Sequence, residues 1–298
     1  MRIVILHHDL ERSEEKLQEL LVKEGITPHL IDIRKASLKD FSEANIVMNR
    51  VYASVANRDF PSIEKTLSLL KTLEERGIQC LNSYTTSIYD YNKYKSYVLM
   101  KSYNLPTPAT LFLDTKEDID MVSDEAERHF GLPLVIKRNT GGRGKDISKV
   151  STKEECIRVL RMKFESAEKE NYRGGFVVQE FIKPSRNHDC RVCIWEGKFL
   201  YSFGRTLIPY ESEDKWLASI SRGSLQIDYL AEEPEIKICI EACELLGAQI
   251  NEIDVAFNEN GPVIIENNPT PTYNVDDPRD VDVLKKYVRG IIARSGLG

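Results

Sequence analysis

The 298-residue sequence is poor in the features that mark membrane, secreted and nucleic-acid-binding proteins. No apolar run approaches the ~20 residues that a bilayer span requires. The opening run Ile3-Val4-Ile5-Leu6 breaks at His7-His8-Asp9, too short for a secretory signal, so a cytoplasmic protein is expected. Positive charge is not in surplus, with 41 Lys and Arg against 47 Asp and Glu and a formal charge of −6. The lack of a broad positive field argues against gripping a nucleic-acid backbone or an anionic membrane as the main task. A local basic pocket for a phosphorylated ligand is still allowed. Internal repeats, low-complexity linkers and a recognisable Ser-His-Asp or Cys-His set are all missing.

Cysteine is sparse as well, at six residues. Cys190 and Cys193 fall in a predicted strand ending at the turn Glu196-Gly197, where positions three apart face opposite sides, so one metal ion could not hold both thiolates. Cys239 and Cys243 share the apolar helix stripe of Ile236, Ile240 and Leu246, closed by Gly247. Both pairs are therefore expected to be buried structural thiols.

What is present begins as an α/β pattern. Ile3–Leu6, His29–Ile33, Asn45–Met48 and Ile78–Leu81 read as strands. Helices carry Leu17, Leu20 and Leu21 before Gly25, and Ile63, Leu67, Leu70 and Leu73 between Pro61 and Arg76. Continuous apolar strands alternating with helices predict a small parallel sheet with crossovers. A helical pattern over 89–103 leads to the rigid stretch Leu105-Pro106-Thr107-Pro108. Beyond it come the strand Leu134–Arg138, a helix after Thr152, and the strand Phe176–Phe181. Two hairpins follow, Arg191–Trp195 with Phe199–Phe203 and Glu252–Phe257 with Pro262–Glu266.

The last hairpin is the most informative. If Asn260 centres a three-residue loop, Asn258 faces Pro262, Ala256 faces Ile264, and Asp254 faces Glu266. Asn268 is then two residues further along the same face, and Ile253, Val255, Phe257, Val263 and Ile265 lie on the other. Like charges opposite each other destabilise a sheet. The pair is thus either a site for a hard cation, Mg²⁺ or Mn²⁺, or a polar face that is solvated or paired with Lys or Arg.

A second feature is Lys137 in Leu134–Arg138, followed by Thr140-Gly141-Gly142-Arg143-Gly144-Lys145-Asp146. Asn139 and Asp146 break the P-loop pattern and position 147 is not Gly, so the stretch is either a mobile flap presenting N–H groups to phosphates or an ordinary turn. A third is Val177-Val178-Gln179-Glu180-Phe181-Ile182 followed by Asp189-Cys190-Arg191. In a strand Asp189 and Arg191 share a face, as site residues or as an edge-strand ion pair. Arg50 follows a strand at the carboxyl edge, where it would either hold a carboxylate or be a solvated loop residue.

Together and in order these pieces resemble the ATP-grasp superfamily, specifically its RimK-like carboxylate–amine ligases. The match includes Leu81-Asn82-Ser83, Asn92-Lys93, Leu105-Pro106-Thr107-Pro108, Leu134-Val135-Ile136-Lys137, Val178-Gln179-Glu180-Phe181-Ile182, Asp189-Cys190-Arg191, Arg222-Gly223, and Asp254 with Glu266-Asn267-Asn268-Pro269. The resemblance implies an α/β chain, α+β in its C-terminal half, with the ATP-grasp fold. Its parts would be a Rossmann-like domain over 1–90, a central domain with the glycine-rich flap over 91–181, and a mixed or antiparallel domain with the metal site over 182–298.

It also implies Lys93 and Lys137 on the ATP phosphates beneath Thr140, Gly141, Gly142, Arg143 and Gly144. Gln179, Glu180, Phe181 and Ile182 would lie on the adenine side, with Asp189 touching the nucleotide. Asp254, Glu266 and Asn268 would hold Mg²⁺ or Mn²⁺, Arg191 and Arg222 would lie near the transferred phosphate or the acyl intermediate, and Arg50 and Arg205 would be on the substrate side. The implied reaction is amide formation through an acylphosphate. The carboxylate would belong to a small molecule or peptide and the amine to an amino acid, in a homo-oligomer, dimer or tetramer, with no nucleic-acid or membrane partner. A small-molecule kinase and a non-catalytic nucleotide-binding regulator are the rival readings. Leu217-Ala218-Ser219 replaces the family's usual polar Arg-Ser-Asn, so a different substrate pocket is expected.

Overall fold

The computed structural model describes residues 2–208 and 216–294, without the side chain of Ser221. Three sheets follow one another along the chain. The first contains β1 (Ile3–His7), β2 (His29–Asp32), β3 (Ile46–Asn49) and β4 (Gln79–Leu81), with α1 (Arg12–Lys23) and α2 (Phe60–Glu75) as crossovers. Its order is β2-β1-β3-β4 and every pair is parallel. The unbroken apolar runs follow from burial on both faces. Val4, Leu6 and Val47 join Ile63, Leu70 and Leu73 of α2 in one core, whereas Ile3, Ile5, Ile46 and Met48 join Leu17 and Leu21 of α1 in another.

The helix expected over 89–103 is two helices, α3 (Tyr84–Asp90) and α4 (Lys93–Ser102). Asn92 separates them as an N-cap, its Oδ1 accepting the Lys95 N–H at 2.9 Å. The second sheet contains β5 (Thr110–Leu113), β6 (Leu134–Arg138), β7 (Ser148–Val150) and β8 (Phe176–Glu180), with α5 (Ile119–Phe130) and α6 (Lys153–Lys169) packed on it. Its order is β5-β8-β6-β7, antiparallel throughout.

The third sheet is also antiparallel. It contains β9 (His188–Trp195), β10 (Lys198–Thr206), β11 (Gln226–Ile227), β12 (Ile250–Asn258) and β13 (Gly261–Asn268) in the order β11-β10-β9-β12-β13, with α7 (Glu233–Leu246) against one face. Helix α8 (Pro278–Arg294) returns to α1, and its Leu284, Tyr287, Val288 and Ile291 complete the core that holds Ile3 and Ile5. Strand parity separates Cys190 and Cys193 into different cores, and all six cysteines are buried and unpaired. No described helix is long and apolar enough to cross a membrane.

The β12–β13 hairpin corrects one expectation. Asn258 pairs with Gly261 across a two-residue turn rather than facing Pro262, so Ala256 faces Val263 instead of Ile264. A register shift after Asp254 leaves Ile265 as an extra residue and restores the pairing of Asp254 with Glu266. In consequence Ile264, not Val263 or Ile265, joins Val255 in the core, and Ile265 lines the cavity described next.

Candidate active site

A cavity of about 350 Å³ opens where the three sheets converge. Strand β6 contributes Lys137, β8 contributes Gln179 and Glu180, and Phe181 and Ile182 follow directly after β8. From the third sheet Asp189, Arg191, Arg205, Asp254, Glu266 and Asn268 line the opposite wall. Lys93, in the first turn of α4, reaches into it, and Gly141 to Lys145 border it.

Strand register explains the charge pattern. Asp189 lies opposite Arg205, and Arg191 lies opposite Asp254, which lies opposite Glu266. Arg191 donates from Nε to Asp254 Oδ1 at 2.7 Å and from Nη1 to Glu252 Oε2 at 3.2 Å. Arg205 donates from Nε to Asp189 Oδ1 at 3.0 Å, and its Nη2 is 2.9 Å from Asp254 Oδ2. Strand β9 lies between β10 and β12, so Asp189 and Arg191 are not an edge-strand pair. Lys93 Nζ is 2.9 Å from Glu266 Oε1 and donates to the Gly141 carbonyl at 2.7 Å, tying helix, strand and flap together.

Burial sets the protonation tendencies. It would raise the Asp254 carboxyl, but Arg191 and Arg205 outweigh it and hold the group below its ordinary value. Glu266 is likewise held low, with Lys93 and Lys137 overcoming burial. Asp189 goes up because burial outweighs Arg205. Lys137 goes down because burial outweighs Glu266 and Asp254. Its Nζ donates to Tyr97 Oη at 2.8 Å, and that hydroxyl in turn donates to the Ile265 carbonyl.

The donors proposed for a metal are all oxygen, which suits a hard divalent cation. Asp254 and Glu266 are adjacent, and the Asn268 Nδ2 donates to the Glu252 carbonyl at 2.9 Å, leaving its amide oxygen for another partner. No group of three or more His, Cys, Asp or Glu side chains suited to a metal occurs among the described residues. Those three residues fit the ion, with the two arginines on Asp254 as competing partners.

The flap bridges the cavity rim. Gly141 has φ +149° and a Cβ there would come 2.9 Å from Asn57 Oδ1; Gly144 has φ +66° beside Ser219 and Arg222. Arg143 donates to Glu11 at 2.6 Å, and Lys145 Nζ to Glu170 at 3.2 Å. Three expected residues do not line the cavity. Thr140 is buried beneath the flap, with Oγ1 donating to the Tyr91 carbonyl at 2.6 Å. Arg222 stands outside it beside Gly144. Arg50 is neither a solvated loop residue nor a cavity residue: it is 1% exposed, with Nε on Glu14 at 2.9 Å and Nη2 on the Pro271 carbonyl at 2.7 Å.

Sequence reasoning missed Tyr97, although its spacing of four from Lys93 puts both on one helix face. It also missed Asp90, for which no motif or period gives a signal. Leu217, Ala218 and Ser219 do line the cavity, and Trp216 packs edge-on against Phe181 with ring centroids 5.7 Å apart.

A flap-bearing antiparallel sheet facing a second sheet with acids and cations across the gap is the arrangement of an ATP-grasp protein. The chain superposes with a TM-score of 0.70 on an ATP-grasp RimK domain protein from Sphaerobacter thermophilus, at 17% identity over 98% of this chain and 100% of that one. It matches D-alanine--D-alanine ligase from Bacillus anthracis, solved with ATP, at the same TM-score and 18% identity, over 99% and 96% of the two chains. These likenesses establish the fold. The chain belongs to the RimK-like ATP-grasp family, whose model matches residues 90–291. It is 26% identical over 234 residues to a probable alpha-L-glutamate ligase of Shewanella pealeana, covering 77% of this chain and 47% of the relative. The chain thus spans about half the length of that relative.

Proposed function

We propose that the protein is an ATP- and Mg²⁺-dependent carboxylate–amine ligase working through an acylphosphate, with an amino acid, L-glutamate in the first instance, as a substrate. The observation that carries this reading is the convergence of Lys93 and Lys137 with Asp254, Glu266 and Asn268 on one cavity bordered by the glycine-rich flap. Lys93 and Lys137 offer two fixed cations to the ATP phosphates, and Tyr97 orients the second. The flap closes over them with backbone N–H groups, and Gln179 to Ile182 receive the adenine side. Bound Mg²⁺ supplies charge neutralisation at the phosphates. Arg191 and Arg205, already aimed at Asp254, stand where they can stabilise the charge that develops as the substrate carboxylate attacks the γ-phosphate. That attack breaks the bond to ADP, and the amine, in its neutral form, then forms the C–N bond as the C–O bond to phosphate breaks, its extra proton leaving with the phosphate.

ADP release with pooled amino acids and short peptides, followed by mass spectrometry, tests the reading. A product equal in mass to two substrates less one water is expected. A phosphorylated product would make the protein a kinase, and no nucleotide-dependent product would leave a nucleotide-binding regulator.

A further inference from the structure

Asp90 ends α3 and lines the cavity. The residue is 8% exposed, and its side chain makes no hydrogen bond or ion pair among the described residues. Burial pushes its carboxyl up to about 7, a direction that the neighbouring charges Lys93, Glu266 and Arg50 do not reverse. The two cations nearby are already committed. Lys93 Nζ serves Glu266 and the Gly141 carbonyl, and Arg50 serves Glu14 and the Pro271 carbonyl. An acid buried on a cavity wall without a counter-charge is costly unless a ligand supplies one.

Phosphate is repelled there. A metal would find a single carboxylate beside a lysine. The cation that a carboxylate–amine ligase must bring into its cavity is an ammonium group. We propose that Asp90 receives the amino group of the amino-acid substrate and so selects amino acids over otherwise identical carboxylates. The assignment rests on the ligase reading above. Asp90 acts by pairing with the ammonium, and it fixes the nitrogen at the wall where Lys93 and Glu266 also stand.

Calorimetric titration of the whole chain, loaded with Mg²⁺ and the non-hydrolysable analogue AMPPNP, tests the proposal with L-glutamate and with glutarate, which differs only in lacking the amino group. The wild type should bind L-glutamate roughly tenfold or more tighter than glutarate, the worth of one charge-assisted bond. Asp90→Asn should bring that ratio close to one while AMPPNP affinity changes less than twofold, and Asp90→Glu should restore part of the ratio. A wild-type ratio near one, the lack of any L-glutamate binding, or a ratio that survives Asp90→Asn overturns the proposal. Failure of the ligase reading shows separately, as the absence of a condensation product from the wild type, because the titration requires no turnover.

Discussion

Asp254 and Glu266 face each other across β12 and β13, and each is held in the charged state by cations from a different direction: Arg191 and Arg205 for Asp254, Lys93 for Glu266. The repulsion expected of two opposed carboxylates is thereby turned into a junction between the third sheet and α4. Glu266→Gln keeps the side-chain volume and leaves Lys93 bonded to the Gly141 carbonyl. The fold should survive, and Mg²⁺-dependent ADP release should fall by about 10²–10³, the scale of one lost transition-state contact. Turnover at the wild-type rate would remove Glu266 from the metal site.

Lys137 is 7% exposed and its pKa lies below the ordinary 10.5 through burial. A base with a lowered folded pKa destabilises the fold while it stays charged, and that penalty fades as pH rises towards its ordinary value. Lys137→Met should therefore make the ligand-free protein more stable at pH 7, with the difference narrowing at alkaline pH. The same variant should lose ATP binding. Urea midpoints at several pH values, beside nucleotide titration, measure both effects, and a less stable variant at pH 7 would contradict the account.

Arg205 is the shared partner of Asp189 and Asp254. Its replacement by alanine leaves two buried carboxylates with Arg191 as their remaining guanidinium, so a loss of about 3–5 kcal/mol of stability is expected. Arg205→Ala should accordingly unfold at distinctly lower urea. Asp189→Asn in the same background should recover part of the loss, because it removes one of the stranded charges, and a double variant no better than the single one would show that the pairing is not the cause.

The flap is held from outside by Arg143 on Glu11 and Lys145 on Glu170. Glu11→Ala removes the first tether without touching the cavity wall. Trypsin cleavage at Arg143 and Lys145 should speed up in the free protein and slow again with Mg²⁺ and AMPPNP, since phosphate contacts then offset the backbone entropy of the glycines. Cleavage unaffected by nucleotide, with binding confirmed, would separate the flap from the site.

Much of this architecture was readable because burial on both faces writes long apolar runs, as in β1 and β3, and helix ends carry their own chemistry, as at Thr152 and Gly247. The Asp254–Glu266 pairing was legible from parity, although the route to it was not: a tighter turn and a bulge at Ile265 cancel, and neither leaves a residue-level mark. Strand β7, with Ser148 and Lys149 half-buried, has too short a pattern to register, and α5 and α8 are not among the helices read from the sequence. Arg50 misled because its position at a strand end suits a ligand-binding loop, whereas its counter-charge, Glu14, comes from a helix surface that sequence spacing does not connect with it.

The packing of α8 against β1 and α1 has a bearing on how the chain is made. Ile3, Ile5 and Leu17 emerge more than 260 residues before Leu284, Tyr287 and Ile291, which seal them. Throughout that interval the face of the parallel sheet that α1 covers lacks its second helix, and the apolar surface left bare is exposed to premature association or capture by chaperones. A nascent chain halted just before α8 should therefore be digested readily by protease in its first sheet while its β5–β8 sheet, whose core draws nothing from α8, is already resistant.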